Sequence, residues 1–133
     1  MKNLIQTAID TGNLKMLIKA VQEAGLIDVL SSEGPFTIFA PTDQAFAELP
    51  KKTIESLLND KEKLTNILTY HVLLNTILIK QFIKIKNAKT VNGKNISIQT
   101  KNGFIIDNAK IIKKDIECSN GVIHVIDKVL IPK

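Results

Sequence analysis

The sequence predicts an α+β fold in which helices come first and an antiparallel, largely meandering sheet follows. Three observations carry this reading. Before residue 75, apolar residues recur at helical spacing. After it, isoleucine and valine become dense and Asn-Gly pairs separate the runs. Between the helical stretches lies Phe36-Thr37-Ile38-Phe39-Ala40-Pro41-Thr42-Asp43-Gln44-Ala45-Phe46, which reads as a buried strand, a proline stop and a capped helix start.

Along the chain, Leu4, Ile5, Ala8 and Ile9 make residues 1–10 amphipathic. Asn13 is placed to cap a helix carrying Leu14, Leu17, Ile18 and Val21 at i, i+3, i+4 and i+7, and Gly25 to end it. Leu26, Ile27, Val29 and Leu30 form a short apolar segment before the turn signal Glu33-Gly34-Pro35. Thr42 or Asp43 offers a side-chain oxygen to the first amides of a helix with Ala45, Phe46 and Leu49, and Asp43 suits its positive end. Residues 53–59 suit another short helix. Leu64, Ile67, Leu68 and His71 repeat the helical spacing in the next.

In the second half, Asn92-Gly93, Asn102-Gly103 and Asn120-Gly121 are hairpin signals. Residues 94–101 alternate, with Ile96 and Ile98 on one face and Asn95, Ser97 and Gln99 on the other. Residues 122–131 are apolar on both faces, as a covered strand requires. There is no low-complexity tract, linker or repeat.

The chain has 133 residues, which suits a single domain over 1–133 that buries about two thirds of its unfolded surface. Its one cysteine, Cys118, excludes an internal disulfide and reads as a small buried residue rather than a reactive thiol. Residues 1–10 lack the longer apolar core of a secretion signal, and no stretch approaches the ~20 apolar residues that span a bilayer. A soluble domain is expected, with no transmembrane segment and no signal peptide in this stretch.

Charge is unevenly spread. All 18 basic residues are lysine. Residues 1–79 carry 7 lysines against 9 acidic residues, a balance of −2, and residues 80–133 carry 11 against 4, a balance of +7. An electrostatic partner should therefore meet the C-terminal half. Nucleic acid is not favoured: arginine is absent, and Phe82 and Phe104 alone offer stacking there. A solvated lysine face is the plainer reading.

Few groups suggest chemistry. His71 falls on an apolar helix face and reads as a hydrogen-bonded core residue. His124 alternates with Val122 and Ile126, and Asp127, three residues on, points the other way, so the two form no dyad. Two scattered histidines without ligand spacing do not make a metal site, even with Asp43 or Asp127 as a third group. Ser119 or Cys118 with His124 and Asp127 could be assembled on paper into a nucleophile and base, but without the supporting local motifs. No phosphate-cradling or dinucleotide loop occurs. No catalytic residue, cofactor or metal is expected.

Three ordered segments, the Phe36 to Phe46 run, Tyr70-His71-Val72 and Asn120-Gly121-Val122-Ile123-His124-Val125-Ile126-Asp127-Lys128-Val129-Leu130-Ile131-Pro132, resemble the fasciclin-like domain family. The resemblance covers nearly the whole chain. It implies N-terminal helices packed on a mainly antiparallel, β-sandwich-like wedge. It implies a non-catalytic extracellular or cell-surface module for adhesion or for matrix or glycan association, with a cell-surface or matrix protein or a glycan as partner; the +7 balance adds that the contact should be acidic, an anionic glycan or an acidic protein face. Its Tyr-His pair, Tyr70-His71 here, is associated with structural integrity and in some members with receptor adhesion. In some animal members an Asp-Ile pair, matched by Asp115-Ile116, is described as integrin-binding. The plainer reading makes Asp115 a turn residue and Ile116 a core residue. Tyr70, His71, Lys110, Lys113, Lys114, Asp115 and Ile116 are therefore candidate partner contacts. Thr42, Asp43, His71, His124 and Asp127 are candidate structural residues. Residues 74–87, rich in isoleucine and lysine, depart from the family pattern, which commonly has a Pro-Gly turn after Tyr-His-Val. The alternatives are a small-molecule or glycan carrier with a pocket between helices and sheet, and, less favoured, a hydrolase.

Overall fold

The structure is a computed structural model. It describes residues 3–32, 34–74, 77–78, 81, 84–100, 103–107 and 109–130. The expectations for Glu33, for Asn75 and Thr76, for Phe82, for Asn102 and for residues 131–133 lie outside the described residues.

Six helices are described: α1 (Leu4–Thr11), α2 (Lys15–Ala24), α3 (Ile27–Leu30), α4 (Asp43–Ala47), α5 (Lys51–Asn59) and α6 (Lys61–Thr69). Their ends follow from local chemistry. Asn3 and Gln6 cap α1 reciprocally. Gly25, at φ 73, ends α2 in the left-handed conformation that glycine tolerates best. Asp60 caps α6 through the Lys63 N–H at 3.1 Å. One expectation is corrected. Asn13 does not cap α2, whose N-cap is Leu14 without a side-chain bond. The Asn13 carbonyl accepts instead from the Asp43 N–H.

The strands are β1 (Phe36–Pro41), β2 (Val72–Leu73), β3 (Asn87–Lys89), β4 (Asn95–Gln99), β5 (Ile105–Ile106), β6 (Ala109–Cys118) and β7 (Gly121–Ile126). They form one sheet in the order β2-β1-β7-β6-β5-β4-β3. From β3 to β7 it is an antiparallel meander, but β1 joins the far side of β7 in parallel, with Phe36 opposite Gly121 and Pro41 opposite Ile126. A parallel neighbour requires a long crossover, and here residues 42–120 supply it.

Both strands are covered on both faces, and alternation along them divides their side chains between two cores. Ile38, Ala40, Ile123 and Val125 face the helices and pack with Leu4, Leu14, Leu17, Val21 and Leu68. Phe39 and Ile126 face the other way, onto Ile96, Ile98, Ile106 and Leu130. Each fully buried side chain of this size contributes about 1.5–3 kcal/mol. The sheet curls around this second core until its ends meet. The Val91 N–H, in the β3–β4 turn, donates to the Val72 carbonyl of β2 at 2.8 Å. The Asn92 side chain donates to the Asn66 carbonyl of α6 at 2.7 Å. That curl makes the sheet a wedge with helices on one side.

The Asn120-Gly121 pair closes the β6–β7 hairpin, but not through a left-handed glycine. Ser119 and Asn120 make the turn, and Gly121 lies outside the positive-φ region. Glycine is required there for space, because a Cβ would overlap the Phe36 carbonyl of β1.

Candidate functional site

At the β1–α4 junction, neighbouring residues serve different helices. The Ala45 N–H donates to Thr42 Oγ1 at 3.1 Å, which caps α4. Asp43 reaches away from its own helix, and its Oδ1 accepts from the Met16 N–H at 2.7 Å. It therefore satisfies an orphan amide in the first turn of α2, the position the sequence assigned to Asn13.

Tyr70 and His71 follow the last turn of α6, so His71 lies past the helix rather than on its face. His71 is 2% exposed. Its Nδ1 lies 2.8 Å from the Ile67 carbonyl, and the Leu130 N–H donates to its Nε2 at 2.9 Å. A carbonyl can only accept and an amide only donate, so the neutral Nδ1–H tautomer fits both partners. Burial pushes this imidazole down to about 4, against the Ile67 carbonyl, which favours the charged ring.

Tyr70 is 4% exposed, and its hydroxyl donates to Asp107 Oδ2 at 2.5 Å. Its hydroxyl also lies 3.2 Å from the Asn95 carbonyl. It thus bridges the end of α6 to β4 and to the residue after β5. Burial, then the Asp107 carboxylate, raises its pKa, so the phenol keeps its proton. Both side chains are buried, at 4% and 2% exposed, so little of either ring is offered to a partner.

His124 is fully buried in β7 and stacks on Phe39, with ring centroids 6.0 Å apart. The Asp115 N–H donates to its Nδ1 at 3.1 Å, and its Nε2 lies 2.8 Å from the Ile77 carbonyl. Its neighbouring carboxylate is Asp115, with Oδ1 at 3.9 Å, a pairing the sequence did not suggest. Burial lowers its pKa, partly offset by the Ile77 carbonyl and Asp115. Asp127 takes no part in this. Its Oδ1 accepts from the Lys110 N–H at 2.8 Å, and its own N–H donates to the Lys110 carbonyl, holding the open end of the β6–β7 ladder.

The low His71 value carries a pH prediction. Folded His71 titrates near 4 and an unfolded histidine near 6.5, so between these values the unfolded chain binds the extra proton. This contribution is complete above the unfolded value and is lost as pH falls towards the folded one, by about 3 kcal/mol. His124, also lowered, adds loss in the same direction. Urea unfolding at neutral and mildly acidic pH should show this fall. His71→Gln should be less stable at neutral pH and lose less on acidification. An unchanged acid sensitivity in that variant would assign the proton uptake elsewhere.

The remaining candidates lie on β6. Lys110, Lys113 and Lys114 are exposed, as is Ile112, while Asp115 and Ile116 are half-buried. The pairing of β6 with β7 shifts register twice, between Ile111 and Lys113 and between Lys113 and Ile116. Asp115 sits in the second irregularity at φ 53. Ile116 packs at the edge of the helical core. Lys114 Nζ lies over the Phe104 ring, 5.9 Å from its centroid. Cys118 is buried at the end of β6, and burial raises its thiol pKa.

Two residues that the sequence reading passed over have several partners each. Asp107, at φ 53, accepts from the Tyr70 hydroxyl and from the Ser97 N–H. Asn120 is buried. Its Nδ2 donates to the Leu30 and Ser32 carbonyls at 2.8 and 2.7 Å, and its Oδ1 accepts from the Leu4 N–H at 2.9 Å. Only the turn propensity of Asn-Gly marked the position of Asn120 in the sequence.

Between helices and sheet lies an apolar cavity of about 20 Å³, lined in part by Leu4, Leu17, Ile38 and His71. That is room for about one water. Among the described residues no three His, Cys, Asp or Glu side chains converge on a metal position. No helix among them is long and apolar enough to cross a membrane.

Comparison with known proteins agrees with this architecture. The chain is 43% identical over 131 residues to an uncharacterized protein of Synechocystis, covering 98% of each chain. It is 36% identical over 118 residues to the transforming growth factor-beta-induced protein ig-h3 of Sus scrofa, covering 88% of this chain but 17% of that one. It is 32% identical over 111 residues to the immunogenic protein MPB70 of Mycobacterium bovis, covering 83% and 56%. The FAS1 domain pair of the insect cell adhesion molecule Fasciclin I superposes with a TM-score of 0.72 at 23% identity, over 91% of this chain and 46% of that one, which establishes a shared fold. The family model for the fasciclin domain matches residues 12–132, and the chain belongs to the fasciclin family.

Proposed function

We propose that residues 1–133 form a single fasciclin domain that acts as a non-catalytic interaction module at the cell surface or outside the cell. Its partner presents an acidic face, as an anionic glycan of the matrix or an acidic surface protein. Membership of a family that includes an insect cell adhesion molecule supports the class of function. The observation that carries the partner chemistry is that Lys110, Lys113 and Lys114 are all exposed on one strand, β6, in a half of the chain with a balance of +7. Lysine supplies attraction without the fixed fork of arginine, so binding is weak and tolerant of sequence or linkage. One such contact serves adhesion only when anchors, neighbouring domains or copies multiply it.

A non-catalytic role is supported by the histidines. All four imidazole nitrogens have backbone partners, so neither ring is poised as a general base. The carrier reading needs a ligand-sized space between helices and sheet, and the cavity there, about 20 Å³, weighs against it. The test is the combined replacement Lys110→Gln, Lys113→Gln, Lys114→Gln. It should weaken binding to polygalacturonate several-fold while leaving the unfolding midpoint nearly unchanged, since exposed charges contribute little to stability. Normal binding by this variant would make these lysines a solvated face and remove the support for the partner assignment.

A further inference from the structure

At His124 the pairing of β6 with β7 sets two residues against one. Lys113 pairs with Val125 and Ile116 with Ile123, so Lys114 and Asp115 together oppose His124. Asp115 holds φ 53, a conformation that a residue with a Cβ keeps where its surroundings fix it. Its own N–H is one such fixture, donating to His124 Nδ1 at 3.1 Å. On the other side of the ring, Nε2 lies 2.8 Å from the Ile77 carbonyl. An amide only donates and a carbonyl only accepts, so the neutral Nε2–H tautomer fits both, the reverse of His71.

This arrangement suits the neutral ring alone. A proton added to His124 goes to Nδ1, where it meets the Asp115 N–H, donor against donor. The Nε2–H keeps the Ile77 carbonyl. Close to Nδ1 lies the Asp115 carboxylate, with Oδ1 at 3.9 Å on a side chain 35% exposed. A carboxylate has about four acceptor positions, so it can receive the new Nδ1–H alongside other donors. From β1 the ring meets Phe39, and from residue 77 a carbonyl, neither of which titrates. Among the other charged residues of β6, Lys113 opposes Val125 and Glu117 opposes Val122, and both are exposed. Lys114, next to Asp115, places its Nζ over the Phe104 ring.

We propose that this bulge is a proton-operated switch: protonation of His124 exchanges the Asp115 amide for the Asp115 carboxylate as its partner, turns the bulge and moves Lys114 with it. Burial lowers the pKa of His124, which sets the change on the acid side of the ordinary histidine range. The consequence for binding rests on the reading of the β6 lysines as the partner contact. Drawing the Asp115 carboxylate onto an imidazolium takes a negative charge from among those lysines, so an acidic partner is held more tightly in mild acid. By reciprocity, the bound partner raises the affinity of His124 for its proton.

The test is an NMR titration of the folded whole chain from neutral to mildly acidic pH, following the His124 ring, the Asp115 amide and the Lys114 and Phe104 side chains. Affinity for dextran sulfate, whose sulfates stay ionised throughout, is measured alongside. The expected result is one shared midpoint for all these signals, with binding about threefold tighter below it. Asp115→Asn keeps a side chain that tolerates positive φ but removes the carboxylate. It should move the His124 midpoint to lower pH, and the gain in affinity with it. An unchanged midpoint in this variant would overturn the switch. So would Asp115 and Lys114 signals that stay still while the ring titrates, or a chain that unfolds before His124 takes up a proton. Binding that ignores the shared midpoint would overturn the coupling to the partner and leave the lysine reading in place. If the signals move together but dextran sulfate binds at no pH, the switch stands and the lysine reading falls.

Discussion

Gly121→Ala should destabilise the domain by about 4 kcal/mol, near the upper end of single substitutions. The strain is not torsional, because Gly121 does not occupy the left-handed region. It arises from crowding: the added Cβ would overlap the Phe36 carbonyl, and both neighbours of the clash are backbone. Side chains can rotate away from a clash, but a paired strand must shift. Here the shift would break the Phe36–Gly121 register on which the parallel β1–β7 ladder begins. Both strands carry the central residues of the two cores, so the damage should spread. Denaturant unfolding measures the loss directly. A variant within about 1 kcal/mol of wild type would mean that β1 adjusts freely and does not dictate glycine.

Asn120→Ala should cost about 3–4 kcal/mol. The side chain satisfies three backbone groups at two helix ends: the Leu4 N–H at the start of α1, and the carbonyls of Leu30 and Ser32 at and just past the end of α3. Alanine strands all three, two of them in buried surroundings. Asn120→Asp separates this account from a simple loss of volume. It is nearly isosteric and keeps an acceptor for Leu4, but it turns a carboxylate towards two carbonyls. It should therefore be at least as harmful as alanine. A well-tolerated aspartate would show that the donor half of the amide contributes little.

These two residues mark how far the sequence was legible. Features set by near neighbours were readable: the spacing of Leu14, Leu17, Ile18 and Val21, the stop at Gly25, the Thr42 cap and the alternation of β4. Features set by distant neighbours were not. Asp43 looked like the cap of its own helix, yet it caps one 27 positions earlier. Asn120 looked like a hairpin residue, yet its amide oxygen bonds the N–H of Leu4, 116 positions away. The parallel pairing of β1 with β7 leaves no periodic trace, because a strand covered on both faces reads alike whatever its neighbours. Asp107 was passed over for the same reason. Its significance depends on Tyr70, 37 positions earlier, whose ring was read as a candidate partner contact and is covered by the second core. Lysine placement was legible as a trend in charge. That Lys110, Lys113 and Lys114 are all exposed on β6, while Lys86 and Lys94 lie near β3 and β4, became visible only in the structure.

In the proposed role the domain holds an acidic partner through lysines and does no chemistry on it. Equilibrium binding of the whole chain to polygalacturonate, measured across a salt series and followed by sizing of the recovered polymer, tests both halves. Exposed charges are screened beyond about 8 Å at physiological ionic strength, so affinity should fall steeply as salt rises. The polymer should be recovered at its original length, and neutral dextran should not bind at any salt concentration. Binding that is insensitive to salt, or a polymer that shortens during incubation, would rule out this role.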